Sequence, residues 1–440
     1  MHRDTKGMRA VRILVDQSGY DLLNIGDVAM LRSCVIRLRQ QWPGAEIMVI
    51  SHAPGRLATH CPGTMVIGRA YADLPFFRFL PRKARLASGQ VWKTAAPFFS
   101  GRLRSGRLRS GHLRSGRHRP GRPRTVIQAV RAADLVVASG GGYVTDTWWW
   151  HAAGVLSLLS LAQRLGKPTA MFGQGIGPIS GRVLRAQARA VLPRLAILGL
   201  REDQIGRDLA LSLGTPPGAM TVTGDDALEL IPDAGAPDGQ ALGVNMRVSG
   251  YAGVDPAETA AVGDLLLRAA GILGAPIVAL PVSRYAPGAD LAAIRALLRP
   301  SRSRADIVLR DLTTPEALVT TAASCRAIVT GSYHAAVFGL AQGVPTVCLT
   351  KSSYYDAKFA GLRALFPSAC FVISLEQPNF ATRLRSSIHK AWHLPPQARA
   401  AARQAAARQR DAGRGAYAQF RDAVEKDPVM VGANSEELIA

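Results

Sequence analysis

Long apolar runs are missing from this chain of 440 residues. Gly154 to Ala162 is typical of what it has, well below the ~20 residues that cross a bilayer. The basic start, MHRDTKGMRAVRILVDQSGY, holds only the short, mostly apolar stretch Val11 to Val15, too brief for the core of a signal peptide. Cysteine is scarce as well: five residues, odd in number, scattered, and without a CxxC spacing. That pattern argues against a disulfide framework and against a zinc site. Together these absences predict a cytoplasmic protein. Hydrophobic residues at 48% and charged residues at 19% are in the range of an ordinary globular chain long enough for two or three domains.

Acidic residues are missing from one long stretch. Between Leu74 and Ala133 there are 15 Lys and Arg and no Asp or Glu. The remainder holds 39 basic and 31 acidic residues, so only +8 of the net +23 lies outside it. Within the stretch is a repeat, GRLRSGRLRSGHLRSGRHRPGRPR, from Gly101 to Arg124. Gly, Ser, Pro and arginine at this density bury too little apolar surface to offset chain entropy, which predicts a disordered insert. Such an arm binds anionic lipid or nucleic acid, or is simply a solvated loop. It has no interleaved aromatics to stack bases, which speaks against nucleic acid, although Trp92, Phe98 and Phe99 lie just upstream.

Outside the insert, strands and helices alternate. Strands are expected near Arg12–Val15, Glu46–Ser51, Leu135–Ala138, Thr169–Phe172, Ala196–Leu200 and Met220–Thr223, with helices between them. The stretch IPDAGAPDGQ, Ile231 to Gln240, reads as a linker, and the rhythm restarts at Leu242. This predicts an α/β protein of two doubly wound parallel-sheet lobes, residues 1–230 and 241–395, followed by a helix and polar tail over 396–440. A crevice between such lobes, at the carboxyl ends of the strands, is the expected binding site.

The chemistry collects at those strand ends. Gly141 and Gly142 in one glycine-rich turn, and Gln174 and Gly175 in GQGIGP, would offer backbone N–H groups to an anion. None of these turns fits GxGxxG with a following acid, nor GxxxxGK[ST], so neither dinucleotide nor P-loop binding is indicated. Asn24 is placed to cap the first helix and Asp27 falls in its first turn. Trp148, Trp149 and Trp150 are consecutive, and at ~100° per residue they cannot all face one core. At least one indole is therefore expected to be exposed or to line the cleft, where it would suit a sugar ring. His334, in Gly331-Ser332-Tyr333-His334 at a helix start, is placed for acid/base work, with Ser332 and Tyr333 beside it. Arg201 and Arg247 follow strand ends and can clamp an anion, and Lys358 in YYDAKFAGL is a further cation.

The ordered set NIGDVAM, ASGGGYVTD, GQGIGP, LREDQ, GDDALEL, SYHAAVFGLAQGVPTVCL and YYDAKFAGL resembles the polysaccharide pyruvyltransferase family. The resemblance runs from about Ile13 to Phe366 and skips the basic insert. It implies a two-lobed, glycosyltransferase-B-like fold. It also implies transfer of the enolpyruvyl carbons of phosphoenolpyruvate onto two hydroxyls of a sugar, in a glycan or lipid-linked precursor of cell-envelope exopolysaccharide. Arg201 and Lys358 match the family's arginine and lysine. The family's Arg-aliphatic-His matches Ser332, Tyr333 and His334, so serine stands where an arginine is usual. The chemistry calls for no metal and no cofactor. A nucleotide-sugar glycosyltransferase of similar fold, or a non-catalytic binder using the arginine-rich arm, stays open beside it.

Overall fold

Each lobe is built on a parallel sheet whose strands are apolar on both faces. The computed structural model describes residues 10–68, 74, 125–232, 239–248, 252–254, 256–286, 289–298 and 306–426. The repeat Gly101 to Arg124, Trp92, Phe98 and Phe99, most of the expected linker Ile231 to Gln240, and the polar tail lie outside these residues.

The N-terminal lobe runs β1 (Arg12–Asp16), α1 (Ile25–Gln41), β2 (Glu46–Ile50), α2 (Pro54–His60), β3 (Met65–Ile67), α3 (Val126–Ala132), β4 (Leu135–Ala138), β5 (Gly141–Val144), α4 (Trp149–Arg164), β6 (Thr169–Ile176), α5 (Arg182–Val191), β7 (Ile197–Leu200), α6 (Ile205–Ser212) and β8 (Met220–Val222). Its strand order is β3-β2-β1-β4-β6-β7-β8, with β5 added along β6. In β1, Leu14 packs into one core layer while Ile13 and Val15 pack into another on the opposite face. Burial on both faces is what a parallel sheet between two helix layers requires.

The C-terminal lobe runs β9 (Ala241–Asn245), α7 (Pro256–Leu273), β10 (Ile277–Ala279), α8 (Asp290–Leu297), β11 (Ile307–Val308), α9 (Pro315–Ala323), β12 (Cys325–Thr330), α10 (Tyr333–Ala341), β13 (Thr346–Thr350), α11 (Ser353–Leu365), β14 (Cys370–Ser374), α12 (Phe380–Trp392) and α13 (Pro396–Lys426). Its order is β11-β10-β9-β12-β13-β14, and its pairings are parallel.

Two features hold the lobes together around the crevice. Ile25 N–H donates to Val282 C=O at 2.9 Å and Arg284 N–H to Leu23 C=O at 2.8 Å, an antiparallel bridge that closes one side. Helix α13 is the second. It was expected to follow the C-terminal lobe as a separate segment, but it spans both lobes. Ala402, Ala405 and Ala406 pack on the C-terminal lobe, whereas Ala416, Tyr417, Phe420 and Val424 pack on the N-terminal one. Tyr417 stacks on Phe172 of β6 with ring centroids 3.6 Å apart. Fully burying an aromatic of this size contributes ~2–3 kcal/mol. Among the described residues no helix is long and apolar enough to cross a membrane.

Candidate active site

The first turn of α1 enters the crevice from the N-terminal lobe. Asn24 caps the helix, its Oδ1 accepting from Gly26 N–H at 2.9 Å and Asp27 N–H at 3.3 Å. From the opposite lobe α10 presents His334, and the two helix starts meet. A Cβ built on Gly26 would lie 2.1 Å from the His334 ring, so only glycine admits the imidazole at this position.

A cavity of about 130 Å³ opens here. Asn24, Asp27, Gly142, Arg201, Arg247, Ser332, Tyr333, His334 and Lys358 all line it. A smaller hollow of about 40 Å³ adjoins it across Gly142, Arg201, Tyr333 and Lys358, and Gly175 lines that one. Gly141 and Gln174 line neither. Strand β6 does not end at Phe172 but continues to Ile176, so Gln174 points into the sheet. Its amide donates to Ser139 C=O at 2.7 Å and to the Tyr143 hydroxyl at 2.9 Å. Gly141 is needed for packing, since a Cβ there would lie 2.2 Å from the Tyr143 ring.

Asp225, at the end of β8, organises the cavity floor. Its Oδ2 lies 3.1 Å from Arg201 Nε and 3.6 Å from His334 Nε2, and its Oδ1 accepts from Ala227 N–H at 2.8 Å. Neighbouring Asp226 pairs instead with the buried Arg37 at 2.7 Å and accepts from the Tyr417 hydroxyl at 3.3 Å. The turn carrying Asp225 is thus fixed from behind by α1 and α13. Arg201, expected as a free anion clamp, arrives already paired. So does Arg247, whose Nη1 is 2.7 Å from the fully buried Asp290. Pairing holds each guanidinium in place at the cavity.

Lys358 has no carboxylate within ion-pairing distance among the described residues. Its ammonium donates to the Tyr354 hydroxyl, which donates to Gly142 C=O at 3.1 Å and accepts from Trp148 Nε1 at 3.0 Å. Trp148 is therefore the indole at the cleft, while Trp149 and Trp150 stack on one another with centroids 4.2 Å apart. The Arg201 guanidinium lies over the Tyr333 ring at 4.7 Å from its centroid. A Cβ on Gly142 would come within 2.7 Å of Lys358 Nζ.

Crowded cations and burial set the charge states. Burial, then Arg201, pushes the Lys358 ammonium down to about 7, with Asp27 and Asp225 opposing. Burial pushes His334 down to about 4, against the pull of Asp225 and with Arg201 and Lys358 adding to the shift. Burial raises Asp27, which Ser18, Lys358 and Arg201 partly offset. His151 lies between the rings of Tyr20 and Tyr143, and burial lowers it to about 3. At neutral pH the cavity thus holds two guanidiniums paired with Asp225 and Asp290, a lysine that gives up its proton far more readily than usual, and a neutral imidazole.

Sequence reasoning did not single out Asp225, Asp290, Tyr143, His151, Ser283 or Tyr354. Asp225 is the first acid of GDDALEL at a strand end, and Tyr143 and Tyr354 lie within ASGGGYVTD and YYDAKFAGL.

The model of one family, described as polysaccharide pyruvyl transferase, matches residues 24–353, about three quarters of the chain. The chain belongs to the polysaccharide pyruvyl transferase family. It is accordingly an enzyme, a transferase. The match spans the first helix cap at Asn24 through Ser353, and so includes every cavity residue above except Ser18, Tyr354, Tyr355 and Lys358. No curated protein is similar to this chain in sequence. Among solved structures it is similar to a UGT transferase of Siraitia grosvenorii bound to UDP, at 11% identity and TM-score 0.54 over 94% of this chain and all of that one. It is similar to S. aureus MnaA bound to UDP, at 13% identity and TM-score 0.54 over 87% and 90%. The glycosyltransferase of kitacinnamycin aligns at 12% identity and TM-score 0.52 over 96% and 100%. At these identities the likeness is one of fold: a member of the pyruvyl transferase family is built on the two-lobed glycosyltransferase-B-like architecture.

Proposed function

We propose that the protein transfers the pyruvyl group of phosphoenolpyruvate onto two hydroxyls of a sugar, in a glycan or lipid-linked precursor, closing a cyclic ketal and releasing phosphate. The observation that carries this reading is the convergence of Arg201, Arg247 and Lys358 with a buried imidazole on one cavity of about 130 Å³. That volume suits a small polyanion and is well below the ~300–1,000 Å³ of pockets for drug-sized ligands. Arg247, which lines the same cavity as Ser332, takes the place of the arginine that Ser332 replaces.

In this reading a proton adds to the methylene carbon C3, leaving an oxocarbenium-like centre at C2. One sugar hydroxyl adds to C2 and loses its proton, the C2–O bond to phosphate breaks, and the second hydroxyl adds in turn. Of the two hydroxyl protons, one balances the proton used at C3 and the other leaves with phosphate. His334 is the general acid/base. A ligand bearing several negative charges offsets Arg201 and Lys358, raises the imidazole from about 4, and lets it hold the proton it delivers. Arg201, Arg247 and Lys358 neutralise carboxylate and phosphate as charge redistributes. The indole of Trp148 offers a face to the acceptor sugar. We place the enzyme in the cytoplasm, with the arm Gly101 to Arg124 contacting anionic lipid at the inner membrane face.

The lysine supplies the test. Lys358 is cationic below about pH 7 and neutral above it. The Kd for phosphoenolpyruvate should therefore rise as pH increases through 7, and Lys358→Met should bind more weakly with a flatter profile. Calorimetric titration of both proteins from about pH 6.5 to 9 reads this directly, and the variant removes the donor's own titration from the comparison. A profile unchanged by the substitution contradicts the assignment.

A further inference from the structure

From Thr147 to Arg201 the chain contains no Asp or Glu, but seven Lys and Arg. Among the described residues only Arg201 of these seven is in an ion pair, and it points into the active site. The other six belong to α4, α5 and the turns that follow them: Arg164, Lys167, Arg182, Arg185, Arg189 and Arg194.

The outer face of α5 is not simply basic. Its exposed positions are Arg182, Val183, Ala186, Arg189 and Ala190, one arc of the helix by the 3.6-residue repeat. Val183 is 60% exposed next to Arg182, and Leu165 at the end of α4 is 43% exposed beside Arg164. Between the helices runs a groove of about 300 Å³, with Leu161, Ala190 and Val191 among its lining residues and Arg164 at its rim. Among the described residues of this stretch and its flanks, acidic groups lie at the borders. Asp146 accepts from Ser180 and Gly181, and Asp203 and Asp208 are exposed at the far side, toward α6.

We infer that the α4–α5 face is a docking surface for an anionic lipid bilayer. Exposed aliphatics set among unpaired arginines are the pattern of an element lying in a membrane interface, where the side chains enter the headgroup boundary and the cations meet acidic lipid. A nucleic acid would use the charges but leave Val183, Leu165 and the apolar groove without a partner. The surface is distinct from the arm Gly101 to Arg124 and does not depend on the identity of the donor.

The test is co-sedimentation of the full chain with vesicles of phosphatidylglycerol and phosphatidylcholine, against pure phosphatidylcholine. Wild type should partition onto the anionic vesicles only. The double variant Arg182→Glu/Arg189→Glu should lose at least ~tenfold in partition coefficient, because each basic residue near an acidic surface contributes appreciably. The control Arg383→Glu/Arg385→Glu, exposed on α12, makes the same change in net charge and should partition like wild type. Val183→Ser should weaken partitioning without altering its salt dependence. Equal losses in the two double variants, or no effect of Val183→Ser, would overturn the inference, because binding would then follow net charge alone. Tighter binding of wild type to a single-stranded oligonucleotide than to vesicles, lost in Arg182→Glu/Arg189→Glu, would assign the face to nucleic acid instead.

Discussion

Replacing His334 with alanine is expected to cut turnover by ~10²–10⁴ while leaving phosphoenolpyruvate binding largely intact. The imidazole is buried among cations, 3.6 Å from Asp225, and in the proposed reading Arg201, Arg247 and Lys358 carry most of the charge that holds the donor. Loss of the ring therefore removes proton transfer far more than it removes charge. The ring also fills the space against Gly26, so truncation opens a small void. His334→Gln separates the two effects: it restores much of the volume and a hydrogen-bonding group but titrates nowhere near neutrality. Both variants should be slow, and the glutamine variant should regain melting temperature without regaining turnover. Full activity in either would remove His334 from the mechanism.

Replacing Asp290 with alanine is expected to destabilise the fold by about 3–5 kcal/mol, because it removes a buried carboxylate that is paired with a buried guanidinium. Asp290 is fully buried and accepts from four donors: Arg247 Nη1 at 2.7 Å, Asn245 Nδ2 at 2.9 Å, Val282 N–H at 3.0 Å and Ser283 N–H at 2.9 Å. The same carboxylate thus fixes an arginine of the cavity and the loop that makes the bridge between lobes. Asp290→Asn keeps an acceptor but removes the charge, so it should cost less than alanine. Denaturant unfolding of the three proteins measures the order. A loss below about 1 kcal/mol in Asp290→Ala would mean that Arg247 finds another partner or water, and that it is not held as described.

Much of the fold was legible because the strands are short apolar runs bounded by turn residues and separated by helical spacing. The cavity residues Asn24, Asp27, Arg201, Arg247 and His334 could be picked out because each follows a strand end or opens a helix, whereas Lys358, inside α11, stood out only as the cation of YYDAKFAGL. What sequence could not give was their partners. Asp225 and His334 are far apart in the chain, as are Arg247 and Asp290, and nothing local marks either pair. Gln174 and Gly141 sit in strands instead of a turn for a related reason: a glycine-rich stretch reads as a turn, yet here β5 pairs along β6 and the strand continues through it. Helix α13 was foreseen, but an alanine- and arginine-rich helix does not announce the surface it covers. Its Tyr417 and Phe420 are buried against the N-terminal lobe, the one further from it along the chain.

The central claim is that the cavity is a phosphoenolpyruvate site, and the melting temperature of wild type and Ser332→Arg in saturating ligand tests it most directly. A ligand that binds only the folded chain raises the melting temperature by mass action. Phosphoenolpyruvate should raise it in wild type and raise it further in Ser332→Arg, where a restored charge-assisted contact tightens binding by ~1.5–3 kcal/mol. A UDP-sugar should have no effect on either protein. Stabilisation of wild type by the UDP-sugar and none by phosphoenolpyruvate would contradict the account.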